Sequence, residues 1–157
     1  MTGDASSWRI RPATASDIPA LVALRRAMFE DMGHRDAAAL DAMACASTSY
    51  FLRTLPAGEF LAWLAEADGE VIASGGCTIH SSPPGVANLA GREGYIMSMY
   101  TRPEWRGRGI ATAILQAILD HLRVHGICMA TLRASPAGRP IYEHLGFAAS
   151  PEMRLTL

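Results

Sequence analysis

The chain has 157 residues, 50% of them hydrophobic, and a formal charge of -1. That length fits one domain with a real core. The apolar content argues against disorder, and the charge balance gives no broad attraction to nucleic acid.

"MTGDASSWRIRP" lacks the apolar core of a signal peptide. No run reaches the roughly 18 apolar residues of a membrane span. The expectation is one soluble, cytoplasmic domain over residues 1–157, with neither membrane nor nucleic acid as partner. A first strand is expected from Trp8 to Thr14, closed by Pro12, which cannot donate to a ladder. Ser16 or Asp17 can then cap a helix that sets Ile18, Leu21, Val22, Leu24, Arg25 and Met28 in helical pattern and stops at Gly33. An alanine-rich second helix spans residues 35–55 and ends at Pro56 and Gly58.

The period then changes. Glu59 to Asp68 reads as a strand, Asp68-Gly69 as a hairpin turn, and residues 70–80 as the return strand. Gly75-Gly76 marks a bulge or a close backbone approach. Residues 81–93 read as loop, and Gly94 to Thr101 as a strand. Between Gly109 and Gly126 lies the strongest helical pattern, with Ile110, Ile114, Ala117, Ile118 and Leu122 on one side. A strand over residues 127–134 and a short helix over 139–145 follow. Residues 147–150 and 152–157 supply terminal strand material. The order predicts a mixed α/β domain with a mainly antiparallel sheet and a central βαβ crossover. Cys45, Cys77 and Cys128 are odd in number and far apart, so buried reduced thiols are expected rather than disulfides.

The stretch "RPEWRGRGIATAIL" joins a strand to that strong helix. The first turn of a helix leaves several N–H groups without partners, and glycines let them converge on a compact anion. Arg106 and Arg108 can add charge at the rim. The Lys-Ser/Thr ending of a nucleotide-triphosphate loop is missing, as is the third glycine of a dinucleotide fingerprint. A pyrophosphate suits the turn; ATP and NAD do not.

"RGRGIA" resembles the acyl-CoA pyrophosphate motif of the GCN5-related N-acetyltransferase (GNAT) superfamily, with Arg106, Gly109 and Ala111 at its fixed positions. "YIMSMYTRPEW" is similar to the family's fourth strand and the loop after it, "RPIYEHLGF" to its tyrosine-bearing helix, and "IRPATASDIPALVAL" to its opening. The resemblance covers nearly the whole chain. It implies the acyl-CoA N-acyltransferase fold, acetyl-CoA as cosubstrate, no metal, and direct transfer to an amine without an acetylated enzyme. It also implies that the fourth and fifth strands splay apart at the thioester.

The CoA-binding candidates under this resemblance are Met99, Tyr100 and Thr101 on the strand, and Arg106, Gly107, Arg108, Gly109, Ile110, Ala111 and Thr112 at the turn. Ser135 and Tyr142 complete them. Met99 is the candidate whose amide stabilises the oxyanion; Tyr100 can equally be wall or core. Tyr142 is the candidate general acid for the leaving thiolate, or else a residue that packs and positions CoA. Ser135 stands where the family often has asparagine; it keeps a hydrogen-bonding oxygen, and helix capping explains it equally well. Glu93 is the candidate base. Glu30, Asp31 and Glu93 are the candidates for recognising a cationic amine. His34 and His80 have suitable intrinsic pKa values without evidence of placement. His121 and His125 are one helical turn apart but lack a third ligand. Cys128 lacks a partnered base.

The acceptor is expected to be a small-molecule amine, and a homodimer is left open. A protein or peptide amine is a second enzyme reading. A non-catalytic acyl-CoA-binding or sensing module is the reading from another class.

Overall fold

The computed structural model describes residues 7–157; the earlier part of the opening segment lies outside them. Its sheet has five strands in the order β1-β2-β3-β4-β5. They are β1 (Arg9–Pro12), β2 (Phe60–Ala67), β3 (Glu70–Ser81), β4 (Arg92–Thr101) and β5 (Ala130–Leu132). The first four pair antiparallel, and β4 pairs with β5 in parallel. The helices are α1 (Ile18–Asp31), α2 (Ala37–Ala57), α3 (Ile110–Val124) and α4 (Arg139–His144). The mixed sheet and its crossover, β4-α3-β5, are as expected, although the crossover sits at one edge of the sheet.

Period-two alternation divides β2 between two apolar layers. Phe60, Ala62 and Leu64 pack with Ile18 and Leu21 of α1 and Phe51 of α2. Trp63 and Ala65 face the other way, toward Ile110, Ile114, Leu115 and Ile118 of α3. Ile114, Leu115 and Ile118 are 0% exposed, and such burial contributes about 1.5–3 kcal/mol for each side chain. α3 ends as its glycine predicts: Gly126, at φ +71°, donates to Arg123 and lets Ile127 donate back to Leu122.

β1 is pinned to the start of α1 by charge. Arg11 forks onto Asp17 with two hydrogen bonds of 2.8 Å, and also reaches Glu66 on β2 at 2.8 Å. Asp17 accepts from the Thr14 amide at 2.7 Å as well. The Arg11 hydrogen bonds, helped by Thr14, bring the Asp17 pKa from 3.8 to about 2 against the opposing effect of burial. Asp68 and Gly69 both take positive φ, as a two-residue hairpin turn requires.

Three expectations need correction. Residues 147–157 form no strand, and Met153, Leu155 and Leu157 are exposed; Pro151 removes a donor in the middle of that segment, and no neighbouring strand pairs with it. β5 is shorter than the expected 127–134, because it meets β4 only over Ala130–Leu132 before the two diverge. Of the three cysteines only Cys77 is buried, while Cys45 and Cys128 are exposed thiols. Boundary differences are smaller: α2 runs through Pro56 in its last turn, at the cost of one helical N–H, and Asp36 caps its start by accepting from Ala39 at 3.2 Å. No helix among the described residues is long and apolar enough to cross a membrane.

Candidate active site

The turn before α3 is an open cluster of donors. Gly107 and Gly109 take φ +74° and +77°, and a Cβ at either would meet nothing within 4 Å. Arg106 still donates its amide to Pro103, and Ala113 donates to Gly109. Between them, the amides of residues 107–112 have no backbone acceptor among the described residues. No side chain caps the helix. A run of free N–H groups at a helix start, backed by the helix dipole, can hold a compact anion.

The two arginines beside it differ. Arg106 Nε donates to the Thr101 carbonyl at 2.9 Å, and its Nη2 pairs with Asp31 at 2.6 Å. Its guanidinium therefore braces the turn against the end of α1, with its charge already compensated. Arg108 stacks over Trp105, 4.6 Å from the ring centre, and stays exposed without an ion-pair partner among the described residues. Of the two, Arg108 is the cation left to meet an anion. A shallow groove of about 580 Å³, lined by Ala23, Ala27, Val71, Tyr100 and Pro103, lies between α1 and the sheet.

The middle of β4 is bent. Met97 pairs with Gly76 and Tyr100 with Ser74, so Ser98 and Met99 together oppose Gly75 alone. This is a β-bulge, and Ser98 takes φ +56° within it. Gly75 has no room for a Cβ, which would fall on Met99 and Ile114. The glycine pair thus marked both a bulge and a close approach, with the extra residue on the opposite strand. The bulge turns Met99 toward α3, and Tyr100 toward α1, where its hydroxyl donates to Asp31 at 3.2 Å. β4 pairs with β5 only from Gly94 to Ile96. Beyond that point, the edge of β4 bearing Met97 to Thr101 has no β5 partner. The two strands open there, as the splayed arrangement requires.

α4 stands beyond β5. Tyr142 is half-buried and packs edge-on against Phe147 at 6.0 Å. Burial raises its pKa above the ordinary tyrosine value, which favours the protonated phenol. Ser135 Oγ accepts from the Gly138 amide at 3.1 Å, so this side chain closes the turn into α4.

An open amide cradle and a bulged, opened strand edge thus flank the β4-α3-β5 crossover, and the half-buried Tyr142 packs against the apolar layer that α3 covers. The profile of the acetyltransferase (GNAT) family matches residues 21–147 of the chain. The chain belongs to that family. It is similar to a predicted acetyltransferase from Clostridium acetobutylicum, solved with acetyl-CoA, at 32% identity and TM-score 0.88 over 96% of each chain. It is also similar to a GCN5-related N-acetyltransferase from Ralstonia eutropha, at 30% identity and TM-score 0.89, over 96% of this chain and 99% of that one. An aminoglycoside N-acetyltransferase in complex with CoA shares the fold at 18% identity and TM-score 0.74, over 100% of this chain and 98% of that one. No curated protein matches the chain.

In this GNAT protein the expected acceptor carboxylates are already engaged. Glu30 accepts from Arg26 at 3.1 Å. Asp31 is held by Arg106 first, and by Tyr100, and its pKa is lowered accordingly. Glu93 accepts a short hydrogen bond from Thr131 of β5. The structure joins Asp31 to Tyr100 and Arg106, and leaves Glu30 and Glu93 elsewhere. By strand alternation Glu93, Tyr95 and Met97 share the face toward α1 and α2. His80 stacks on Tyr95 there, with ring centres 5.4 Å apart, and hydrogen-bonds Thr78 at 2.9 Å.

Two polar residues escaped the sequence reading. Arg25 leaves the middle of α1 and donates to Ser98 Oγ at 2.7 Å, at the bulge itself. The signal for Arg25 was its position: it continues the inward stripe through Leu21, where an apolar residue would be ordinary. Nothing in the sequence marked Ser98, whose role follows from strand register.

His121 and His125 stack at 4.0 Å, and His125 Nδ1 lies 2.8 Å from the His121 carbonyl oxygen. Among the described residues no group of three or more His, Cys, Asp or Glu side chains is placed to hold a metal ion. Cys77 is buried, and burial raises its thiol to about 11. The Cys128 thiol donates to Asn88 Oδ1 at 3.6 Å.

Proposed function

We propose that the protein transfers an acetyl group directly from acetyl-CoA to the amine of a small molecule. The observation that carries this reading is the run of free amides over residues 107–112 beside the opening of β4 from β5. The donor supplies an activated thioester. Gly107, Gly109, Ile110, Ala111 and Thr112 hold its pyrophosphate, Arg108 adds charge, and Arg106 holds the turn in shape. The free edge of Met99 to Thr101 binds the pantetheine arm.

The neutral amine attacks the thioester carbon, and the charge on the carbonyl oxygen is met by a backbone N–H, with Met99 at the bulge best suited. As the carbon–sulfur bond breaks, Tyr142 gives its phenolic proton to sulfur. The amine's own proton leaves to water or, through water, to Glu93. Ser135 shapes the approach by fixing the start of α4.

A protein or peptide amine remains the second enzyme reading, since the GNAT fold alone does not define the acceptor. The test is acetyl-CoA-dependent turnover on a panel of amino acids, aminoglycosides, polyamines and peptide amines at equal concentration. Thiol release and acetylated product are measured together. Acetylated small amines in the absence of an acetylated enzyme support the proposal. Product from peptides alone would shift it to the second reading, and CoA binding without product from any amine would favour a sensing module.

A further inference from the structure

We infer that the acceptor carries an oxyanion, a carboxylate or a phosphate, close to its reacting amine, and that Arg25 binds it at the β4 bulge. This inference rests on the acetyltransferase reading above and concerns the acceptor side of that same site.

Arg25 is half-buried, and a guanidinium keeps its charge throughout the working pH range. Its protein contacts are neutral: the Ser98 hydroxyl at 2.7 Å, and the Phe29 ring 5.1 Å away. Among the described residues it has no carboxylate partner, whereas Arg11, Arg26, Arg102 and Arg106 each have one. Burial works against its charged form. An arginine fork has five donors, and one hydroxyl leaves most of them unused. A half-buried charge without a counter-ion is costly in a folded protein. A carboxylate or phosphate matches the fork and supplies the missing charge.

The surrounding acids point the same way. Glu30 and Asp31, expected to attract an ammonium group, already have Arg26 and Arg106 as ion-pair partners, whereas Glu93 accepts from the neutral Thr131 hydroxyl toward the end of β4 that pairs with β5. At the bulge itself the charge without a counter-ion is that of Arg25. It would repel a simple ammonium ion and orient an amine that carries its own anion. The location adds a chemical consequence. Ser98 is the neighbour of Met99, so an anion held there keeps the amine near the opened strand edge. A nearby guanidinium also disfavours the protonated amine, which helps release the lone pair needed for attack.

The experiment compares matched acceptors with wild-type protein and with Arg25→Gln and Arg25→Lys. The pairs are amino acids against their amides, and aminoalkyl phosphates against the corresponding amino alcohols, with polyamines as the purely cationic class. CoA binding is measured by calorimetry on every variant, and thermal unfolding confirms the fold. The wild type should favour the anionic member of a pair by about 10-fold or more in kcat/KM. Arg25→Gln should raise the acceptor KM by about 10–100-fold and abolish the preference, with CoA affinity unchanged. Arg25→Lys should keep part of the preference, since it retains the charge but loses the fork. The better of the two pair types tells carboxylate from phosphate. CoA binding with a preference for neutral or polycationic amines overturns the inference while leaving the transferase reading intact. An unchanged acceptor ratio in folded Arg25→Gln also overturns it. Failure of the wild type to bind CoA removes the underlying reading, and the inference with it.

Discussion

At the scale of single residues, the hydroxyls of Ser135 and Tyr142 have different work. Ser135 spends its oxygen on the Gly138 amide. Tyr142 has its ring packed against Phe147, in surroundings that hold the phenol protonated. Tyr142→Phe keeps the ring and removes the proton. Under the proposed acid role, single-turnover acetyl transfer should fall by about 10–100-fold while CoA affinity holds. Both must be measured, because slow product release can mask a slower chemical step. Normal single-turnover chemistry would rule out the acid role, and a parallel loss of affinity would favour positioning. Tyr142 stood out as a candidate in the sequence because "RPIYEHLGF" travels with the glycine turn. Arg25 did not, because its meaning depends on which strand residue it meets and on how many carboxylates are already taken.

At the scale of elements, chain-local chemistry was the most readable. Asp68-Gly69 formed its turn, Gly126 ended α3, and Gly107 and Gly109 opened the amides ahead of it. Each follows from backbone conformation over a few residues. The bulge was half readable: Gly75 announced the close approach, but the register that gives β4 the extra residue involves two distant strands. The C-terminal segment misled for the same reason. Met153, Leu155 and Leu157 alternate like a strand, but a strand also needs a partner edge.

The junction of β1 and α1 offers a test of electrostatics. The Asp17 pKa is depressed from 3.8 to about 2. The pair therefore contributes its full stability above the unfolded value, and loses it as pH falls through the folded one. Asp17 is only 10% exposed, so the contribution amounts to about 2 kcal/mol. Denaturant unfolding between about pH 5 and pH 2 should show wild-type stability falling more steeply than that of Asp17→Asn, which should start lower. Equal slopes would mean that Asp17 does not supply this pH dependence.

At the scale of the whole molecule, the sheet separates two tasks. One face carries α3, whose buried isoleucines and leucines hold the glycine turn rigidly at the sheet edge. The other carries α1 and α2, and α1 brings Arg25 and Asp31 over β4. The Asp31–Arg106 bridge links these two regions. Mixed topology was legible because the order of elements and one long crossover leave few arrangements. Charge pairing across the molecule was not, because Glu30 and Asp31 look alike in sequence and acquire different partners only on folding.

The central claim is that the turn before α3 holds the donor's pyrophosphate. Gly109→Asp tests it most directly. A side chain there meets nothing within 4 Å. Aspartate in the left-handed region costs about 1–2 kcal/mol, so the protein should still fold. The new carboxylate would stand among the free amides and repel a phosphate. Calorimetric titration with acetyl-CoA, with circular dichroism to confirm the fold, should show binding by the wild type and affinity lowered by about 10-fold or more in the variant. Unchanged affinity in folded Gly109→Asp would contradict the account.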